Sequence, residues 1–75
     1  LVEIEAPPQF VGKTLQELQL RQTLDMQVML VKRREEDNGL MRMKREMPGP
    51  DFEIRKNDLM LLLGSAANMK KITSL

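Results

Sequence analysis

Asn38-Gly39 limits the fold of this chain more than any other two residues. Both central residues of a type I′ hairpin turn need positive φ, and Asn-Gly meets that need at the least cost. The flanking stretches "KRREED" and "LMRMKRE" therefore read as the arms of a β-hairpin. A two-residue turn also sets the register, so that Glu35 faces Arg42, Arg33 faces Lys44 and Lys32 faces Arg45. The first pair is favourable, whereas like charges directly opposite destabilise a ladder. Six of the twelve basic residues, Lys32, Arg33, Arg34, Arg42, Lys44 and Arg45, lie on this hairpin. The preferred reading is a solvated ribbon whose long side chains diverge toward Glu35, Glu36 and Glu46. The alternative is an anion site or a contact with an acidic surface. Met41, Met43 and Met47 alternate along the second arm and suit an adaptable interface.

The rest of the chain is punctuated just as plainly. Val2, Ile4 and Ala6 alternate with Glu3 and Glu5, the period of a half-buried strand. Pro7 and Pro8 end it, because neither can donate to a sheet ladder. Thr14 and Glu17 have the spacing of a capping box, and Leu15, Leu18, Leu20 and Leu24 supply the buried side of the helix that follows. Met26 to Val31 reads as a central strand covered on both faces, with Met26, Met29 and Met60 as core. "MPGPD" at 47–51 forces a corner, Phe52 and Ile54 form a short extended piece, and Lys56-Asn57-Asp58 makes a turn. "LMLLLG" at 59–64 is a second buried strand. Ser65 caps a last helix with Ala66, Met69 and Ile72 on one side. The order strand, helix, strands, helix predicts an α+β fold, a small mixed β-sheet carrying two helices.

With 75 residues the chain forms a single domain, 1–75, that buries only roughly 60% of its unfolded surface. There is no cysteine to staple it, so a homodimer inside the cell is the expected remedy. Leu1 is not an initiator methionine, and a fragment of a longer or processed protein is expected. No segment approaches the roughly 20 apolar residues of a membrane span, so direct membrane insertion is not expected.

Catalysis finds little to work with. Histidine, cysteine, tryptophan and tyrosine are all absent, which removes the commonest general base, the commonest nucleophile pairs and the usual zinc ligands. None of the eleven Asp and Glu residues sits inside an apolar run where burial would raise its pKa, and each has a solvated reading. The four glycines form neither a phosphate loop nor a dinucleotide fingerprint. A non-enzymatic domain without metal or cofactor is expected. A net charge of +1 and two phenylalanines as the only aromatics argue against a nucleic-acid partner.

Two long stretches add what spacing cannot. "EIEAPPQFVGKTLQELQLRQTLDMQVMLVKR" resembles the opening of the TrkA C-terminal domain, also called the RCK C-terminal domain. There an acidic strand, a proline, a "GKTL.EL.LR" helix and a strand ending in "KR" follow in the same order. "MPGPDFEIRKNDLMLLLGS" resembles the second half of that family, with its proline corner, its aspartate turn and a strand ending in "GS". Two departures stand out. Lys56 or Asn57 replaces a frequent glycine before the turn aspartate, and residues 34–45 are longer than the usual connection.

The resemblance implies a regulatory domain at the cytoplasmic side of a potassium or other cation transport system, carried by or bound to a membrane transporter or channel subunit. It implies dimerisation and, in some members, binding of cyclic di-AMP in a cleft at the dimer interface. Carried onto this sequence, the ligand positions are Leu20, Arg21, Gln27, Val28 and, at the corner, Pro48 or else Pro50, with Gln19 and Gln27 in place of an aspartate and an asparagine. An arginine suits phosphate geometry. A cation near a helix C-terminus also stabilises the helix dipole with no ligand at all. A ligand-free dimerisation module is thus the alternative function, and a basic-hairpin binder of nucleic acid or acidic protein a more remote one.

Overall fold

A computed structural model describes residues 1–73. Strand β1 (Val2–Glu5) leads through a 3-10 turn at Pro8–Phe10 to helices α1 (Leu15–Leu18) and α2 (Leu20–Thr23). Strands β2 (Gln27–Asp37), β3 (Leu40–Glu46) and β4 (Leu59–Leu63) follow, and helix α3 (Ala66–Thr73) closes the order. The sheet runs β1-β4-β2-β3. The α+β class holds, but the sheet is antiparallel at every ladder, not mixed. β1 and β2 do run in the same direction on either side of the α1–α2 crossover. β4 lies between them and pairs antiparallel with both, so no parallel ladder forms.

The helix expected after Thr14 breaks in two. Gln19 adopts a left-handed conformation, φ 48° and ψ 49°, and α2 begins afresh at Leu20. The physical reason lies in the leucine spacing. At about 3.6 residues per turn, Leu15 and Leu18 fall on one side of a continuous helix and Leu20 and Leu24 nearly opposite. Reversing the chain at Gln19 lets both pairs reach the same core, where Leu20 is buried and the other three are packed against it. The capping box forms as read: Glu17 N–H donates to Thr14 Oγ1 at 3.2 Å, and Thr14 N–H donates to Glu17 Oε1 at 3.0 Å.

The core gathers Ala6, Phe10, Leu20, Met26, Val31, Ile54, Met60, Leu62 and Ile72. Met26 and Met60 belong to it, but Met29 does not. The β2–β4 register shifts between Val28 and Leu30, and Met29, the extra residue, is left 37% exposed. β2 is therefore not covered on both faces. Ser65 caps α3, its Oγ accepting the Asn68 N–H at 3.2 Å, and Ile72 is buried while Ala66 stays exposed. At the hairpin Asn38 and Gly39 have φ of 51° and 79°, and the register pairs Glu35 with Arg42, Arg33 with Lys44 and Lys32 with Arg45. Beyond Lys32, β2 pairs only with β3, so the ribbon projects from the sheet and lengthens the molecule to 41 × 22 × 20 Å.

Candidate functional site

Three of the four bases in the like-charge pairs of the hairpin, Lys32, Arg33 and Lys44, have acidic partners, and Arg45 has none among the described residues. Lys32 Nζ reaches Glu3 at 2.9 Å, and Lys44 pairs with Glu46 at 3.3 Å and Glu35 at 3.9 Å. Arg42 lies 3.7 Å from Asp37. Arg33 turns inward to Asp58, donating from Nε to Oδ1 at 2.9 Å and from Nη2 to Oδ2 at 2.7 Å. The solvated reading of every carboxylate fails here: Asp58 is 1% exposed. Burial pushes its carboxyl up, but the Arg33 guanidinium and the Arg55 N–H, which donates at 2.8 Å, outweigh that and hold it below its ordinary value. The hydrogen bond to Asp58 in turn raises Arg33. Arg33 Nη2 also donates to the Glu53 carbonyl at 3.0 Å, and the guanidinium stands 4.8 Å from the centre of the Phe52 ring.

Fully bonded and enclosed, this pair anchors structure. It ties residues 52–58 to β2, and the Asp58 carbonyl accepts the Ala6 N–H at 2.8 Å. Sequence reading missed it because Asp58 sits in a turn composition that usually marks solvent. The available signals were its place directly before the apolar run 59–63 and its match to the turn aspartate of the family pattern.

The Pro48 corner is placed by the start of α1. The first amides of a helix have no partner within it. Leu15 N–H donates to the Phe52 carbonyl at 3.1 Å, Gln16 N–H to the Pro50 carbonyl at 2.9 Å, and Glu17 N–H to Thr14. These bonds hold residues 48–52 against the helix. From the other side, the break at Gln19 turns α2 so that Leu20 is buried and Arg21 stands on the surface.

Between these elements opens a cleft of about 610 Å³. Leu20, Arg21, Gln27, Val28 and Pro48, the five residues singled out from the sequence, all line it, together with Gln19, Met26 and Pro50. Apolar walls come from Leu20, Met26, Val28 and the prolines. Gln16, Gln19, Gln22 and Gln27 supply amides, and among the described residues Arg21 is the one charged lining group. No ion pair engages Arg21 among the described residues. The cleft can thus present one guanidinium and several amide donors beside an apolar floor, a combination suited to an anion bearing a flat or apolar body. It contains no acid–base pair, and no cluster of three or more His, Cys, Asp or Glu residues able to hold a metal occurs among the described residues.

The model of the TrkA-C domain family matches residues 1–75, and the chain belongs to that family. Its fold is that of the regulator of conductance of K+ (RCK) C domain. A solved structure of that domain from the potassium transport protein KtrA, in complex with cyclic diadenosine monophosphate, superposes with a TM-score of 0.74 at 16% identity. It covers 99% of this chain and 80% of its own. The GsuK channel bound to NAD gives a TM-score of 0.71 at 19% identity, and a second GsuK channel structure gives 0.69 at 19%. Those alignments cover 97% and 96% of this chain but only 12% of each channel chain. No curated protein matches this sequence.

Proposed function

We propose that this chain is the ligand-sensing regulatory domain of a potassium or other cation transport system. It lies at the cytoplasmic face of the membrane through a transporter or channel subunit, and it binds a small anionic ligand of the cyclic di-AMP type. The observation that carries this reading is the convergence of Arg21, Gln27, Leu20, Val28 and Pro48 on one open cleft. Family membership and the ligand named in the KtrA complex support the same choice. Arg21 offers paired, charge-assisted bonds to a phosphate, and the apolar walls take a base. A two-fold ligand suits two copies of the domain, because a two-fold interface presents the same patch twice. No helix among the described residues is long and apolar enough to cross a membrane.

Isothermal titration with cyclic di-AMP tests the proposal. The unaltered domain binds, and Arg21→Ala reduces affinity by about tenfold or more, the scale of one lost charge-assisted contact. Absence of heat up to about 1 mM ligand, an affinity of only roughly −4 kcal/mol, overturns it. That result leaves the second reading, a ligand-free dimerisation module, in which Arg21, the second residue of the one-turn helix α2, is a solvated surface side chain.

A further inference from the structure

Beyond Lys32, strand β2 has no neighbour on its β4 side, because β4 begins at Leu59, opposite Lys32. The turn that leads into β4 stands beside this free edge, tied to it by the Arg33–Asp58 bonds. Arg55 and Asp58 close that turn reciprocally. Arg55 N–H donates to Asp58 Oδ2 at 2.8 Å, and Asp58 N–H donates to the Arg55 carbonyl at 3.2 Å. Another cavity, of about 360 Å³, opens between the turn and the root of the ribbon. Arg34 and Met41 line it from the ribbon, Arg55 and Lys56 from the turn, and the enclosed Arg33–Asp58 pair lies between them. It shares no residue with the Arg21 cleft. The two departures from the family pattern, the lengthened 34–45 connection and Lys56-Asn57 before the turn aspartate, are far apart in sequence and meet here.

Four bases and two acids line this cavity, a surplus of two positive charges. Neither acid is free to cancel it. Both oxygens of Asp58 are taken by the Arg33 guanidinium and the Arg55 backbone amide, and Glu35 is drawn to Lys44 at 3.9 Å. Arg34, Arg55 and Lys56 are exposed and have no ion-pair partner among the described residues. Three uncompensated cations around one concavity repel one another and concentrate a positive potential in it.

We infer that this cavity is a second anion site, and that it takes a phosphate dianion, either free or as the terminal monoester group of a small molecule. Such a group carries about −1.5 to −2 charges at pH 7, which matches the surplus, whereas a phosphodiester carries one negative charge per phosphate. Arg34 and Arg55 present guanidinium forks that suit two phosphate oxygens each, and Lys56 adds a point charge on a flexible stem. The volume falls at the lower end of the roughly 300–1,000 Å³ of small-molecule sites. That leaves space for a sugar or nucleoside body against Met41. No aromatic ring lines the cavity among the described residues, so single-stranded nucleic acid finds no stacking platform there. The inference does not rest on ligand binding at Arg21.

Amide NMR titration of the chain with adenosine monophosphate, with its cyclic monophosphate and with inorganic phosphate tests it. The monophosphate shifts the amides of residues 33–35 and 55–58 saturably. The cyclic compound, nearly the same body with only one negative charge, binds there about tenfold more weakly or less. Inorganic phosphate binding as tightly as the nucleotide identifies the free ion as the ligand, and tighter binding of the nucleotide identifies an ester; both uphold the site. Arg34→Gln and Lys56→Gln each weaken binding by about tenfold, and Arg21→Ala leaves it unchanged. Circular dichroism of both glutamine variants matches the parent, since both side chains are exposed. Absence of saturable shifts up to about 10 mM nucleotide, past the millimolar end of the affinity scale, overturns the inference. So do shifts confined to residues 19–28, equal binding of the two nucleotides, or unchanged binding by both glutamine variants. Failure of cyclic di-AMP to bind the Arg21 cleft alters none of these outcomes.

Discussion

Arg33 on β2 holds Asp58 by two parallel hydrogen bonds of 2.9 and 2.7 Å across 25 residues of sequence. The carboxylate is almost wholly enclosed, and with its Arg55 amide bond no buried side-chain polar atom among the described residues lacks a partner. Ion pairs on the surface contribute little to stability, but removing one partner of a buried pair leaves an uncompensated charge.

Arg33→Ala is accordingly expected to cost about 3–5 kcal/mol of stability. Urea unfolding measures it. A loss below about 1 kcal/mol, the range of exposed pairs, would show that solvent reaches Asp58 freely. Arg33→Lys should recover only part of the loss, because an ammonium can neither form the paired bonds nor stack flat on Phe52.

Acid should undo the same contact. Asp58 is held below its ordinary value in the folded chain, so the unfolded chain takes up that proton first as the pH falls. The contribution is fully present above the unfolded value of about 3.9 and is lost as the pH drops through the lower folded value. The gap in thermal midpoint between the unaltered chain and Asp58→Asn should therefore be constant near neutrality and shrink below about pH 4. A gap that stays constant down to pH 2 would contradict the assignment.

Gly39 has φ of 79° and open space around a Cβ at that position, so only backbone strain opposes substitution. Gly39→Val should cost roughly 1–2 kcal/mol, the penalty for a left-handed L-residue. Because the ribbon projects from the sheet, the loss should appear first as faster amide exchange in residues 33–46. Equal exchange rates in the two proteins would place the turn elsewhere.

Thr14→Ala removes the acceptor for the Glu17 amide and should cost about 1 kcal/mol. It should also raise the Glu17 carboxyl only part of the way toward its usual value, since the bond from the Thr14 backbone amide, the larger cause of its lowering, stays and only the hydroxyl bond is lost. Carbonyl-carbon NMR across the acid range follows that change directly. Thr14→Ser should preserve both properties.

How far the sequence could be read depended on the distance between interacting residues. The capping box, the Asn38-Gly39 turn, the ending of β1 at Pro7 and the Ser65 cap were all legible, because each is settled within three or four residues. The hairpin register followed from its turn alone. The five cleft residues were found only through resemblance, since no local pattern marks Gln27 or Pro48 as neighbours of Arg21. Asn57 shows a departure from the family pattern being absorbed: its φ of 70° is the conformation a glycine would take, and asparagine tolerates it.

By itself the sequence determined where the chain turns, where helices start and which side of each short segment is apolar, because backbone sterics and neighbouring hydrogen-bond partners decide those matters locally. The tertiary structure alone decided that β4 enters between β1 and β2, that the first helix breaks at Gln19, that Met29 leaves the core and that Arg33 meets Asp58. Each of those outcomes weighs burial or charge pairing between distant segments against local preference, and the leucines of a broken helix can be buried together only once a shared core exists to receive them.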